Sequence, residues 1–274
     1  MSTSISTAFI KQFEAEVHMA YQRMGSKLKN TIRQVNNVQG SQARFQKVGK
    51  GTAVNKARHS QIPTMDISHS TVDVTLSDFY AADYVDRLDE LKTNIDERQV
   101  LSSNAAAALG RKTDQLIIDV LDAGSNSNNV VHGSAGLTLA KSLTVYEAFG
   151  GADIPDDGQR YFVVSPAGWA DLLQIDQFSR AEYVGENDLP YAGGITAKRW
   201  LGFMWFTHSG LSISGSTREC HAFHKSSVGI GVGSEIRTEI NYIPEKVSNL
   251  ITSYMSMGST MIDNDGAIKV QITE

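Results

Sequence analysis

Cys220, His221 and His224, in the run CHAFH, bring a thiol and two imidazoles into one short segment. In an extended strand, side chains four apart share a face, so Cys220 and His224 can point together. With the distant His208 they would offer three donors of the kind that hold zinc. No CxxC or HExxH companion accompanies them, so a metal-dependent enzyme centred on His221 and His224 is a weak reading. Other runs fall short in similar ways. Gly229, Gly231 and Gly233 form GIGVG, which lacks the GxGxxG spacing and following helix of a dinucleotide site and reads as a glycine-containing strand. GVGSE and VSPAGW are not GxSxG, and no Walker motif is present. DNDG at 263–266 has the start of a calcium loop without its remaining ligands, and reads as a tight turn. His59 and His69 have no neighbouring thiol or carboxylate cluster. No catalytic residue, metal site or cofactor is expected.

Composition points to a different class of work. A chain of 274 residues, 41% hydrophobic and 20% charged, suits one large or two intimate globular domains. No apolar run approaches the 18 residues of a membrane span, so no membrane partner is expected. The opening MSTSISTAFIKQFEAEV lacks the basic segment and apolar core of a secretory signal. The single cysteine, Cys220, excludes an internal disulfide and fits folding in a reducing cytoplasm. Charge is unevenly spread. Residues 1–60 carry +8, leaving −13 for the rest of a chain whose net charge is −5. A basic arm on an acidic body either binds nucleic acid or lies across the acidic body of a neighbouring copy. Few aromatics and no nucleic-acid motif accompany the arm, which favours a protein partner.

The elements that would position these residues are legible from periodicity. Asn94 to Gly124 reads as one long helix, with Asn94 as N-cap, Glu97 completing a capping box, and Gly124 as a left-handed stop. Leu91, Ile95, Leu101, Ala105, Leu109, Leu116 and Val120 fall on one stripe. At 1.5 Å per residue the helix would be roughly 45 Å long, a strut. Ser102 to Ala108 are all small or short, inviting close approach, and Gly110 signals a kink or tight packing. Upstream, Phe9, Phe13, Val17, Tyr21, Met24, Leu28 and Ile32 form a second helical stripe. Residues 35–63 are polar, basic and glycine-spaced, and the alternation of Val72, Val74 and Leu76 then indicates strand. Such a two-stranded ribbon cannot form a core of its own, so something outside its own domain must hold it. After a loop at 125–129, Thr138 caps a short helix, RYFVVSP is a buried strand, and Ser165 with Pro166 opens another helix. RWLGFMWFTHSG, CHAFH, SVGIGVG and IRTEINYIP are strand-like, and the last segment folds around DNDG to return the C-terminus to a sheet. Helices and mostly antiparallel strands without regular βαβ alternation give an α+β class.

In that order, the chain resembles the major capsid (coat) proteins of tailed bacteriophages, whose shell fold is shared with herpesvirus capsid floors and encapsulins. The resemblance rests on the basic N-terminal segment, the ribbon, the long helix, the block containing YFVVSPAGWADLLQI and AFHKSSVGIGVG, and the closing strands LITSYMSMGSTMIDNDGAIKVQI. It implies an N-terminal arm at 1–34, an extended loop at 35–78, and a peripheral domain at 79–129 and 243–274 with a spine helix at 94–123. An axial domain of mixed sheet with flanking helices would occupy 130–242. It further implies no enzymatic activity and self-assembly through hexamers and pentamers into an icosahedral shell around double-stranded DNA, held without sequence-specific binding. The implied partners are a separate scaffolding protein, a portal at one vertex and a cementing protein, with assembly in the host cytoplasm and a final place in the virion. The family lays its extended loop over a neighbour, so Lys47, Lys50, Lys56 and Arg58 would meet Asp83, Asp86, Asp89 and Glu90 of the adjacent subunit. Some relatives join the loop by a Lys–Asn isopeptide bond, for which no motif is seen. An encapsulin shell holding cargo enzymes is the alternative within the fold, and a nucleic-acid-binding module using the basic arm the alternative outside it.

Overall fold

The computed structural model describes residues 22–86, 97–124, 126–179 and 197–274. Of the helical stripe expected from Phe9 to Ile32, the residues up to Tyr21 lie outside the described residues, as do the cap at Asn94, Leu91 and Ile95. The rest of that stripe, Met24, Leu28 and Ile32, is not on an α-helix: Gly25 at φ +69° breaks the period, and Leu28 and Ile32 flank a single 3-10 turn, Lys29–Thr31. The strands are β1 (Arg33–Val35), β2 (Gln42–Val48), β3 (His69–Thr75), β4 (Ser77–Asp86), β5 (Arg160–Val164), β6 (Ala197–Trp200), β7 (Phe203–Thr207), β8 (Ile213–Ser214), β9 (Thr217–His224), β10 (Val228–Ile243), β11 (Ser248–Met261) and β12 (Ala267–Thr273). The helices are α1 (Glu97–Ala123), α2 (Leu139–Gly151), α3 (Pro166–Leu173) and α4 (Asp176–Ser179). The chain divides into two compact units, with cuts inside α1 after Arg111, inside β10 after Ser234 and inside β11 after Met255.

The first unit combines Asp78–Arg111 and Glu235–Met255 with the residues that end at Gly25. Here β11 lies between β10 and β4. On α1, Leu101, Asn104, Ala105 and Ala108 line a cavity of about 390 Å³ together with Gln22, Ala81 and Ala82. Gln22 bridges Asn104 and Arg111, whose Nη1 donates to Gln22 Oε1 at 2.7 Å. Gly110 marks tight packing, since a Cβ there would stand 2.8 Å from the carbonyl carbon of Gly25. Gly25 itself has φ +69°, a conformation that favours glycine.

The second unit holds Ser26–Ser77, Lys112–Ser234 and Ser256–Glu274. Its larger sheet runs β12-β9-β5-β7-β6, with β8 beside β9. Strand β5 pairs parallel with β7 and antiparallel with β9, so it is central, and its residues are buried apart from half-buried Tyr161. That explains the uninterrupted apolar run of RYFVVSP. Leu201 and Gly202, at φ 50° and 76°, turn β6 back into β7. An aromatic layer fills the interior: Phe162 stacks on Trp205 with centroids 3.8 Å apart, and Phe149 meets Phe203 edge-on at 4.9 Å. Trp205 Nε1 donates to the Trp200 carbonyl at 2.9 Å, satisfying its one polar atom. The caps at Thr138 and Ser165 form as expected, Ser165 Oγ accepting from Gly168 N–H at 3.0 Å.

Three expectations change. SVGIGVG and IRTEINYIP are one continuous strand, β10, because no turn residue separates them once the glycines are extended. Gly124 ends α1 without a left-handed φ; its missing side chain instead makes room for Met261, whose Cε lies 2.9 Å from where a Cβ would be. The buried face of the second half of α1 carries Asp114, Ile117, Ile118 and Leu121, while Leu116 and Val120 are only half-buried. A buried charged residue displaced the stripe that hydropathy alone would draw.

Candidate assembly surfaces

The ribbon is real and its root is held by its own chain. Strands β2 and β3 pair antiparallel from Gln42↔Thr75 to Val48↔His69. Alternation puts Ala43, Phe45 and Val74 on one face, where they are buried with Ile262 and flanked by Val35 and Val38. The glycines of GIGVG create the seat: a Cβ on Gly229 would lie 2.6 Å from Phe45 Cζ, and one on Gly231 would lie 3.1 Å from Ala43 Cβ. Gly258 does the same below, since a Cβ would come 2.1 Å from the Thr75 carbonyl oxygen. The expectation that only an outside surface could order the ribbon is thus corrected for its root. Beyond Val48 the tip, residues 49–68, has no regular strand and is exposed almost throughout.

The four expected loop cations separate into two pairs. Lys47 Nζ stands 2.9 Å from Asp263 Oδ1, and Lys50 Nζ stands 3.6 Å from Asp153 Oδ2 and 3.3 Å from the Ala152 carbonyl oxygen. These are contacts within one chain. Lys56 and Arg58 lie on the exposed tip. At the ribbon's flank, Arg44 grips Asp73 by two hydrogen bonds of 2.7 and 3.0 Å. The guanidinium holds the Asp73 carboxyl below the usual range.

Of the expected acidic counterpart, the described residues include Asp83 and Asp86. Asp83 and Asp86 are an odd number of residues apart on β4, which puts them on opposite faces. Asp83 lines the cavity beside α1. Asp89 and Glu90 lie outside the described residues.

The histidines weighed for metal chemistry are each taken by a separate aspartate. His208 Nε2 is 3.0 Å from Asp114 Oδ2, His221 Nε2 is 2.8 Å from Asp122 Oδ1, and His224 Nε2 is 3.1 Å from Asp157 Oδ1. Among the described residues no three His, Cys, Asp or Glu side chains group as a metal site. Cys220 is wholly buried, and burial pushes its thiol pKa up to about 12. The side chain of Asp263 accepts from Asp265 N–H at 3.2 Å, which makes DNDG a turn.

Sequence reasoning missed two buried ionic hubs. Asp114 accepts from Ser26 Oγ and from the backbone N–H groups of Lys27 and Leu28. Burial alone would raise its pKa, but these bonds and the one to His208 outweigh it, and the carboxyl is held low. Lys141 directs its ammonium at the carbonyl oxygens of His132, Ala135, Gly136 and Gln271 at 2.8 to 3.0 Å. Burial lowers its pKa. The available signal was a charge at an interior helical position: Asp114 is three residues before Ile117 and four before Ile118.

A family model described as phage capsid protein matches residues 5–274. No curated protein matches the chain in sequence. The fold is similar to the capsid of Cyanophage P-SCSP1u, with a TM-score of 0.75 and 18% identity over 100% of this chain and 96% of that one. A chain of Mycobacterium phage Che8 matches with a TM-score of 0.74 and 17% identity, covering 96% of this chain and 97% of that one. The capsid of a native GTA particle matches at 0.73 with 14% identity, covering 99% of each chain. With its model spanning nearly every residue, the chain belongs to the phage capsid protein family.

Proposed function

We propose that this capsid protein is the major shell subunit, working as many identical copies that close into an icosahedral wall around double-stranded DNA. The observation that carries the reading is the ribbon: its root is anchored on glycines of its own chain, while its tip presents Val54, Ile62 and Met65 to solvent at 59, 77 and 53% exposure. Apolar residues on an ordered projection are stabilised when association removes them from water. In this reading residues 1–34 are the arm, 35–78 the extended loop, 79–129 and 243–274 the peripheral domain, and 130–242 the axial domain. The wall confines DNA mechanically, which agrees with a body of net negative charge. A scaffolding protein, a portal and a cementing protein are the further partners that the family resemblance supports, with assembly in the host cytoplasm. The family points to a structural, not enzymatic, role.

The test is coexpression with the scaffolding protein from the same genome, followed by sedimentation and negative-stain imaging. Closed particles of uniform diameter are expected. A monodisperse monomer under every assembly condition overturns the proposal.

A further inference from the structure

Strand β10 has two edges, and in the first unit they differ. One edge pairs with β11. The other is covered near its start, where β1 pairs parallel with residues 229–231 and Val38 N–H donates to the Val232 carbonyl at 3.0 Å. From Ile236 to Asn241, among the described residues, no strand lies beside that second edge. Residues 237–241 are all exposed. Such an edge is a row of backbone donors and acceptors ready to pair with another chain. The run IRTEIN holds no proline, glycine or lysine to blunt it, and its Ile and Thr residues favour strand. What remains as protection is charge, on Arg237 and Glu239. Contacts from β11 hold two of these side chains in place: Thr238 Oγ1 is 2.7 Å from Ser253 Oγ, and Glu239 Oε1 accepts from the Tyr254 hydroxyl at 2.7 Å.

That charge is arranged to match itself. Alternate residues of a strand turn their backbone groups to the same edge, so two copies of one strand pair antiparallel only where each residue meets one an even number of positions away. Centred on Thr238, this pairing sets Arg237 opposite Glu239 of the second copy and Glu239 opposite its Arg237. On the other face it sets Ile236 opposite Ile240, again twice by symmetry. Centred one residue earlier, Arg237 meets Arg237; centred one residue later, Glu239 meets Glu239, and like charges directly opposite are destabilising. We infer that β10 pairs with β10 of a second copy across a two-fold axis at Thr238, joining the two sheets through residues 236–240. The inference rests on the shell reading above, which supplies the neighbouring copy. The two charges thereby reject other registers and other strands while accepting this one.

The test exploits the buried Cys220, which leaves introduced thiols as the reactive ones. Particles of Thr238→Cys, treated with the short thiol cross-linker dibromobimane, should give dimers on denaturing gels. Arg237→Cys alone and Glu239→Cys alone should give several-fold fewer, because each thiol then sits diagonal to its mate, at about 7–8 Å. Coassembling those two variants should restore the dimers. A second arm exchanges the charges. Arg237→Glu or Glu239→Arg alone should lower particle yield several-fold with the circular dichroism of the subunit unchanged, and the two together should recover it. Thr238→Cys particles that form normally without dimers overturn this inference and leave the shell reading standing. Dimers that peak at another register, cross-links to a separate protein seated on the edge, or a double exchange no better than the single ones also overturn it. Failure of the wild-type chain to form particles overturns the shell reading and this inference with it.

Discussion

His208 and Asp114 meet as a buried pair, Nε2 to Oδ2 at 3.0 Å, with both side chains fully removed from solvent. Gly210 N–H donates to the other ring nitrogen, Nδ1, at 3.1 Å. That bond fixes the tautomer, leaving the proton on Nε2 to point at the carboxylate. Asp114 thereby ties the loop after β7 to the chain at Ser26, Lys27 and Leu28. Replacing Asp114 with alanine strands several buried donors and should cost about 3–5 kcal/mol, read as a lower denaturant midpoint.

The same residue should shape the acid limb of stability. Its folded pKa is depressed, so its contribution is fully present above the unfolded carboxylate value of about 3.9 and is lost as pH falls through the lower folded value. Unfolding measured from pH 6 downwards should therefore show a steeper loss for the wild type than for Asp114→Asn, which cannot titrate there. Parallel curves would remove Asp114 from the account.

At Gly110 two effects oppose each other. Alanine raises helix propensity by about 1 kcal/mol. Its Cβ, however, would stand 2.8 and 2.9 Å from backbone atoms of Gly25, which cannot rotate away. Overpacking typically costs about 1–3 kcal/mol, so Gly110→Ala should destabilise. A raised melting temperature would show that the approach of Gly25 is loose.

Gly229→Ala should disturb the ribbon root, because the new methyl meets the Phe45 ring at 2.6 and 2.8 Å. A loss of about 1–3 kcal/mol is expected. Combining it with Phe45→Leu should cost less than the two single changes added, since the smaller side chain frees the space. Strict additivity in denaturant unfolding would dissociate the glycine from the ribbon.

Cys220 should be silent to Ellman's reagent in the folded protein and react once per chain in denaturant. With burial holding its pKa near 12, almost no thiolate exists at neutral pH. Stoichiometric labelling of the native protein would contradict that burial.

These cases also show why the sequence was readable in some places and not in others. The ribbon, the caps at Thr138 and Ser165 and the buried strand β5 follow from local alternation and capping chemistry, which one segment carries by itself. The seat for Phe45 depends on Gly229, far along the chain, and no local pattern links them. Asp114 defeats a hydropathy stripe because its burial is compensated by donors from residues 26–28 and 208, which only the fold assembles. Likewise, net charge counted Lys47 and Lys50 with Lys56 and Arg58, although the first two face carboxylates of their own chain.

That division yields a separable test of the loop cations. Lys47→Glu would bring a second carboxylate towards Asp263, with which the lysine now pairs at 2.9 Å. An ion pair this exposed contributes about 0–1 kcal/mol, so the isolated subunit should lose little stability. The ribbon's root, however, would be repelled from the turn at 263–266. Lys56→Glu with Arg58→Glu touches no pair at the root, and the folded subunit should be unchanged by circular dichroism and melting. If the tip engages an acidic surface of another copy, this double reversal should reduce particle formation strongly at low salt, with partial recovery as screening rises. Sedimentation of coexpressed protein at low and high salt measures both outcomes. Normal particles from the tip variant, beside impaired ones from Lys47→Glu, would mean that the loop acts by its shape at the root and that its tip charges do not choose the partner.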